Sequence, residues 1–99
     1  LVGSEMCIRA SYRPGLRSTR TITCAAMAEA YLTAGRAETA ATLAEEGLAV
    51  ADRFGERVVV AELHRIRGAA RRDRAEWDLG ARIAADQGAA LLRQRFATF

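Results

Sequence analysis

The chain has no lysine at all, one proline (Pro14), one histidine (His64), two cysteines (Cys7 and Cys24) and only 6% aromatic residues. Each shortage excludes something. Without lysine there is no P-loop lysine. Two cysteines and one histidine leave a four-ligand structural zinc site, a CxxC redox pair or a disulfide framework unsupported. Cys24 therefore reads as a small core hydrophobe in a reducing, cytoplasmic setting. No run approaches the ~20 uncharged apolar residues of a membrane-spanning helix. What the chain does have is alanine, 22 of 99 residues, together with Leu, Glu and 15 Arg. These are strong helix formers, and β-formers are sparse outside Val58-Val59-Val60, so the expectation is an all-α chain. Ninety-nine residues allow one small domain. Arginine without lysine also fits a GC-rich coding bias, which bears on the source genome and not on function.

Residues 1–9, Leu-Val-Gly-Ser-Glu-Met-Cys-Ile-Arg, have neither the basic start nor the apolar run of a signal peptide. They resemble the read-through translation of a transposase adapter used in sequencing libraries, and are set aside as an adapter artefact. The remainder is then expected to be a fragment. Residues 10–20, with Pro14-Gly15 and three arginines, read as a loop or lead-in segment.

From Thr21 the spacing becomes helical. Cys24, Met27, Ala28 and Tyr31 fall at i, i+3, i+4 and i+7, and Ala34-Gly35 supplies a stop. A second helix is predicted from Ala37 to Arg53, burying Ala40, Leu43, Ala44, Gly47, Val50 and Phe54 and ending at Phe54-Gly55. Glu38, Thr42, Glu45, Glu46, Ala49, Asp52 and Arg53 make its opposite face, with the acidic members read as solubilising. A third helix starts near Glu56 and carries Val59, Leu63, Ile66 and Ala70 on its apolar stripe. Short turns between such helices predict antiparallel hairpins packed side by side. Beyond Gly68 the stripe weakens, with Trp77 the one large apolar residue before Leu79, Ile83 and Ala84. Ala89 to Phe99 is predicted as a last helix bearing Leu91, Leu92, Phe96 and Phe99, truncated at its C-terminal end.

A helical pair repeating at about 34 residues is the mark of tetratricopeptide repeats. Residues 21–54 fit that template, with Ala28 in the small slot, Tyr31 in the aromatic slot, Gly35 at the turn, Ala40 opening the second helix and Gly47 at its close contact. Cys24 and Asp52 depart from the Trp and Pro often found at their positions. More widely, Ala28–Arg36, Ala61–Gly68 and Ile83–Ala89 resemble, in order, the tetratricopeptide-like C-terminal region of large bacterial signalling proteins. In those, a nucleotide cyclase or a DNA-binding activator domain is joined to a predicted ATPase module and a helical array. The resemblance covers residues 21–99, and the Glu62-Leu63-His64-Arg65-x-Arg67-Gly68 run is its most specific part. It implies an α-solenoid of antiparallel hairpins with Gly68, Trp77 and Gly80 in further packing slots and Glu62 and Arg65 as inter-helix ion pairs. Eleven residues separate Gly68 from Gly80, roughly seven fewer than in the family, or about two helical turns. Residues 56–86 are thus either one long helix or a shortened hairpin.

Function follows from the same residues. His64 has no second histidine, cysteine or convergent carboxylate pair in its helical frame, so it reads as a surface or packing residue. No nucleophile elbow, cyclase carboxylate pair, catalytic residue, metal site or cofactor site is expected. Arg65, Arg67, Arg71, Arg72 and Arg74, with a sequence pI near 9.5, could form a surface patch for phosphates. Interleaved Glu62, Asp73, Glu76 and Asp78, and the absence of stacking aromatics, favour a solvated, salt-bridged face. The expected function is a non-catalytic scaffold for protein or intramolecular contacts beside neighbouring repeats, with no membrane partner. A small basic nucleic-acid-binding module is the alternative.

Overall fold

The computed structural model describes residues 17–57, 59–89 and 93–99. Within them the chain is all-helical, as composition requires: α1 (Arg17–Thr33), α2 (Ala37–Phe54), α3 (Val60–Arg71) and α4 (Arg74–Asp86), with no strand among the described residues. None of these helices is long and apolar enough to cross a membrane. Residues 1–9, and the lead-in as far as residue 16, lie outside the described residues.

The helices pack as two antiparallel hairpins, α1 with α2 and α3 with α4, joined by α2 against α3. Gly35 closes α1 at φ +80°, where a Cβ would strain the backbone. There the Arg36 N–H reaches the Tyr31 carbonyl at 2.8 Å and the Gly35 N–H reaches Leu32 at 3.1 Å, a Schellman closure of the helix. The same paired bonds close α3, but at Arg72, whose φ of 54° makes it the one non-glycine residue at positive φ among the described residues. One residue later, the Asp73 carboxylate accepts the Glu76 N–H at 3.2 Å and starts α4. Residues 56–86 are therefore a shortened hairpin and not one long helix. The connection is two residues, Arg72 and Asp73.

The core is small-residue packing around a few branched side chains. Cys24, Ala28, Ala40, Leu43, Ala44, Leu63 and Ile66 are fully buried, with Met27, Tyr31, Leu48 and Val59 packed on them. The α2 stripe is turned slightly from its expected position: Ala51 is buried, while Val50 and Phe54 are half-buried. Helices can approach closely because glycine stands at each crossing. A Cβ on Gly47 would lie 2.9 Å from Leu63 Cδ2 and 3.0 Å from Cys24 Cβ; on Gly68, 2.8 Å from the Trp77 backbone nitrogen; on Gly80, 2.9 Å from the Ala61 carbonyl oxygen.

Four sequence expectations need correction. α1 begins at Arg17, so part of the predicted lead-in is helical, while α3 begins at Val60 and not near Glu56. Cys24 is buried as expected, but it is disulfide-bonded and is not a free thiol. Two cysteines suffice for one crosslink, so the expectation of a reduced Cys24 without a disulfide is overturned and Cys24 no longer argues for a reducing compartment; Cys7 lies outside the described residues. Finally, the predicted helix does not extend to Phe99, and Leu91 and Leu92 lie outside the described residues. Arg93 and Gln94 are helical, Arg95 and Phe96 form a turn, and Phe96 and Phe99 each stand edge-on to Trp77 with ring centroids 5.2 Å apart. Edge-on contact with Trp77 replaces the helical register that their spacing suggested.

Candidate interaction surface

Helix α3 carries the polar chemistry on two faces, set by its own periodicity. Glu62 and Arg65 are one turn apart on one side; His64, Arg67 and Arg71 follow i, i+3 and i+7 on another.

On the first side, Arg65 is buried, 8% exposed, and binds both carboxylates within reach. Its Nη2 is 2.8 Å from Glu29 Oε1 of α1 and 2.6 Å from Glu62 Oε1, and its Nε donates to Glu62 Oε2 at 3.0 Å. Burial alone would lower the Arg65 pKa, but hydrogen bonds and Coulombic attraction from Glu62, then Glu29, raise it above the ordinary arginine value. The guanidinium is thus a fixed positive centre holding two carboxylates from different helices side by side. Arg95, from the 93–99 segment, completes the group by hydrogen-bonding Glu29 and approaching Glu62 Oε1 at 3.1 Å.

On the second side, Glu76 of α4 accepts from Arg67 Nε at 2.5 Å, and the same oxygen lies 3.0 Å from His64 Nδ1. Glu45 of α2 pairs with Arg71 at 2.6 Å and approaches Arg67 at 3.8 Å. His64 and Arg67 also line an open groove of about 320 Å³ with Leu48, Ala51, Asp52, Glu56, Arg57 and Val60. None of these lining side chains is a serine, threonine or cysteine nucleophile. Among the described residues, no group of three or more His, Cys, Asp or Glu is placed to hold a metal ion.

The predicted arginine patch is consequently not one surface. Arg65 is buried between α1 and α3, Arg67 and Arg71 face carboxylates of α2 and α4, Arg74 pairs with Asp78 at 3.1 Å along α4, and Arg72 is exposed at the turn. Glutamates dispersed through the sequence divide the cluster because three other helices converge on α3. The ion pairs expected of Glu62 and Arg65 do leave α3, Arg65 reaching Glu29 of α1 and Glu62 reaching Arg95, and the two also pair with each other within α3. The proposed packing residues lie where helices meet. Ala28 and Ala40 are fully buried, Trp77 is 3% exposed, Tyr31 packs on the core, Gly35 makes the turn, and Gly47, Gly68 and Gly80 stand at the close crossings.

Sequence reasoning missed Glu29, Glu45 and Arg95 as members of these networks, whereas Glu76 stands among the carboxylates interleaved with the arginines. Glu29 and Arg95 are 66 positions apart, so no local spacing could pair them. The Asp73-x-x-Glu76 run also has the capping-box spacing that starts a helix. No family model, curated protein or solved structure matches this chain.

Proposed function

We propose that this chain is a non-catalytic helical-repeat scaffold of tetratricopeptide-like type, making protein or intramolecular regulatory contacts within a bacterial cyclase- or ATPase-linked signalling protein. The observation that carries the reading is the pairing of two antiparallel hairpins in series, with Gly47, Gly68 and Gly80 at the points of closest approach. Small residues at those positions are what a stack of hairpins needs if each is to bury its apolar face on the next. Ile22 and Leu79 remain 46% and 38% exposed, apolar positions suited to contact with neighbouring repeats. Pairing of Arg65, Arg67, Arg71 and Arg74 with carboxylates argues against the nucleic-acid alternative, since these cations already have anionic partners.

The test is to read the coding sequence on both sides of this segment in its parent locus. The activity of any adjoining effector is then measured with residues 17–99 present and deleted. An adjoining cyclase or ATPase-linked module whose activity changes on deletion is the expected result. An effector that is unaffected, or the lack of any adjoining module, would overturn the signalling assignment.

A further inference from the structure

The four-membered group Glu29, Glu62, Arg65 and Arg95 is electrically neutral, but its members are not equivalent. Arg65 is built in: it is buried and held by both carboxylates. Arg95 is an outside addition, 48% exposed, on a segment whose described residues other than Phe96 are all exposed. Without Arg95, two carboxylates share one guanidinium, and a single negative charge remains between α1 and α3. One residue on from Arg95, the ring of Phe96 fits the space left by Gly80, its nearest atoms 3.0 Å from where a Cβ would be. Trp77 offers its face or edge to both Phe96 and Phe99. A carboxylate pair next to an aromatic wall is complementary to a guanidinium followed directly by an aromatic ring.

We propose that the notch lined by Glu29, Glu62, Trp77 and Gly80 is a recognition surface for a polypeptide segment carrying arginine followed directly by an aromatic residue, and that residues 93–99 occupy it in cis. The proposal rests on the scaffold reading and names the partner chemistry of one of its surfaces. The occupying segment follows Gly88, at φ +67°, and its described residues 93–99 are exposed except Phe96, as in segments that open locally at low free energy. A partner presenting Arg-Phe would compete with Arg95-Phe96 for the same two carboxylates and the same glycine notch. Its binding would weaken with salt, because the carboxylates are partly exposed.

The single tryptophan makes docking directly observable in the full 99-residue chain. In the unmodified chain, Trp77 emission should be blue and poorly quenched by acrylamide. Arg95→Glu should raise quenching and shift emission to the red while helicity by circular dichroism is retained. A synthetic peptide of residues 93–99 should then restore the protected signal. The same peptide with glutamate in place of the arginine at position 95 should bind about ten-fold more weakly or worse, as expected for lost charge-assisted bonds. Unchanged quenching in Arg95→Glu, or equal rescue by both peptides, would overturn the proposal. If Arg95→Glu loses helicity, Phe96→Ala is read by the same criteria. Concentration-dependent dimerisation of the unmodified chain that is abolished by Arg95→Glu would assign the notch to a second copy and overturn a heterologous partner. Failure of peptide docking leaves the scaffold reading to other surfaces. Absence of an adjoining effector leaves the Trp77 result standing.

Discussion

The two hairpins reach the same topology by different means. The first joins helices of 17 and 18 residues, turns on a glycine, and meets its partner through alanines and Leu43. The second joins helices of 12 and 13 residues and turns on Arg72, a residue that adopts positive φ reluctantly. It compensates with a capping aspartate, glycines at Gly68 and Gly80, and aromatic cover on Trp77. A long hairpin with an apolar stripe needs little besides the stripe. A short one, with fewer apolar positions per helix, depends on close backbone approach and on ion pairs that fix its register.

Breaking what the hairpins share should have the largest effect. Leu63 is fully buried at the junction, touching the space left by Gly47, and Leu63→Ala should destabilise the chain by about 3 kcal/mol in urea unfolding. Arg65→Ala should remove about 2–3 kcal/mol by leaving Glu62 and Glu29 without their shared cation. Arg74→Ala, removing an exposed pair, should stay within about 0.5 kcal/mol. The raised Arg65 pKa has a definite sign. Its stabilising contribution is fully present below the unfolded-state value and is lost only as pH rises through the still higher folded value. This group therefore produces no unfolding transition at ordinary pH.

The glycine positions sharpen the contrast. Gly68→Ala drives a methyl against the Trp77 backbone, which cannot move without separating α3 from α4, and should cost about 2 kcal/mol. Gly47→Ala meets mainly the flexible end of Leu63 and should cost about half as much, although the nearby Cys24 Cβ prevents full relief. A reversed order of unfolding midpoints would contradict the claim that the second hairpin is held by backbone proximity. Effects of about 1 kcal/mol or less are expected at the turn of that hairpin. Asp73→Ala should lose about 1 kcal/mol with the cap. Arg72→Gly should gain about 0.5–1 kcal/mol by relieving positive φ, raising the midpoint where most substitutions lower it.

Legibility in the sequence divides along the same line. Ala28, Leu43, Gly47, Leu63 and Ile66 were readable as packing positions, because helical periodicity places apolar residues on one face whatever lies opposite. Gly35 was readable as a stop because few other residues tolerate its conformation. The Arg72 turn was not, since arginine ordinarily continues a helix and the surrounding run from Ala69 to Asp78 is almost entirely polar. Asp73-x-x-Glu76 was the available signal, and it is weaker than a glycine. Phe96 and Phe99 were read at helical spacing, yet contact with Trp77 decided their placement.

Composition and periodicity alone determined that the described residues are helical, where the first turn lies, and most of the residues of α1 to α3 that face inward. These are properties of a backbone repeating every 3.6 residues and of side chains that either leave water or do not. Only the tertiary structure decided which glutamate each arginine meets, that α3 and α4 are separate, and that residues 93–99 close over Trp77. Such choices depend on groups dozens of positions apart being brought within a few ångströms, and no local pattern carries that information.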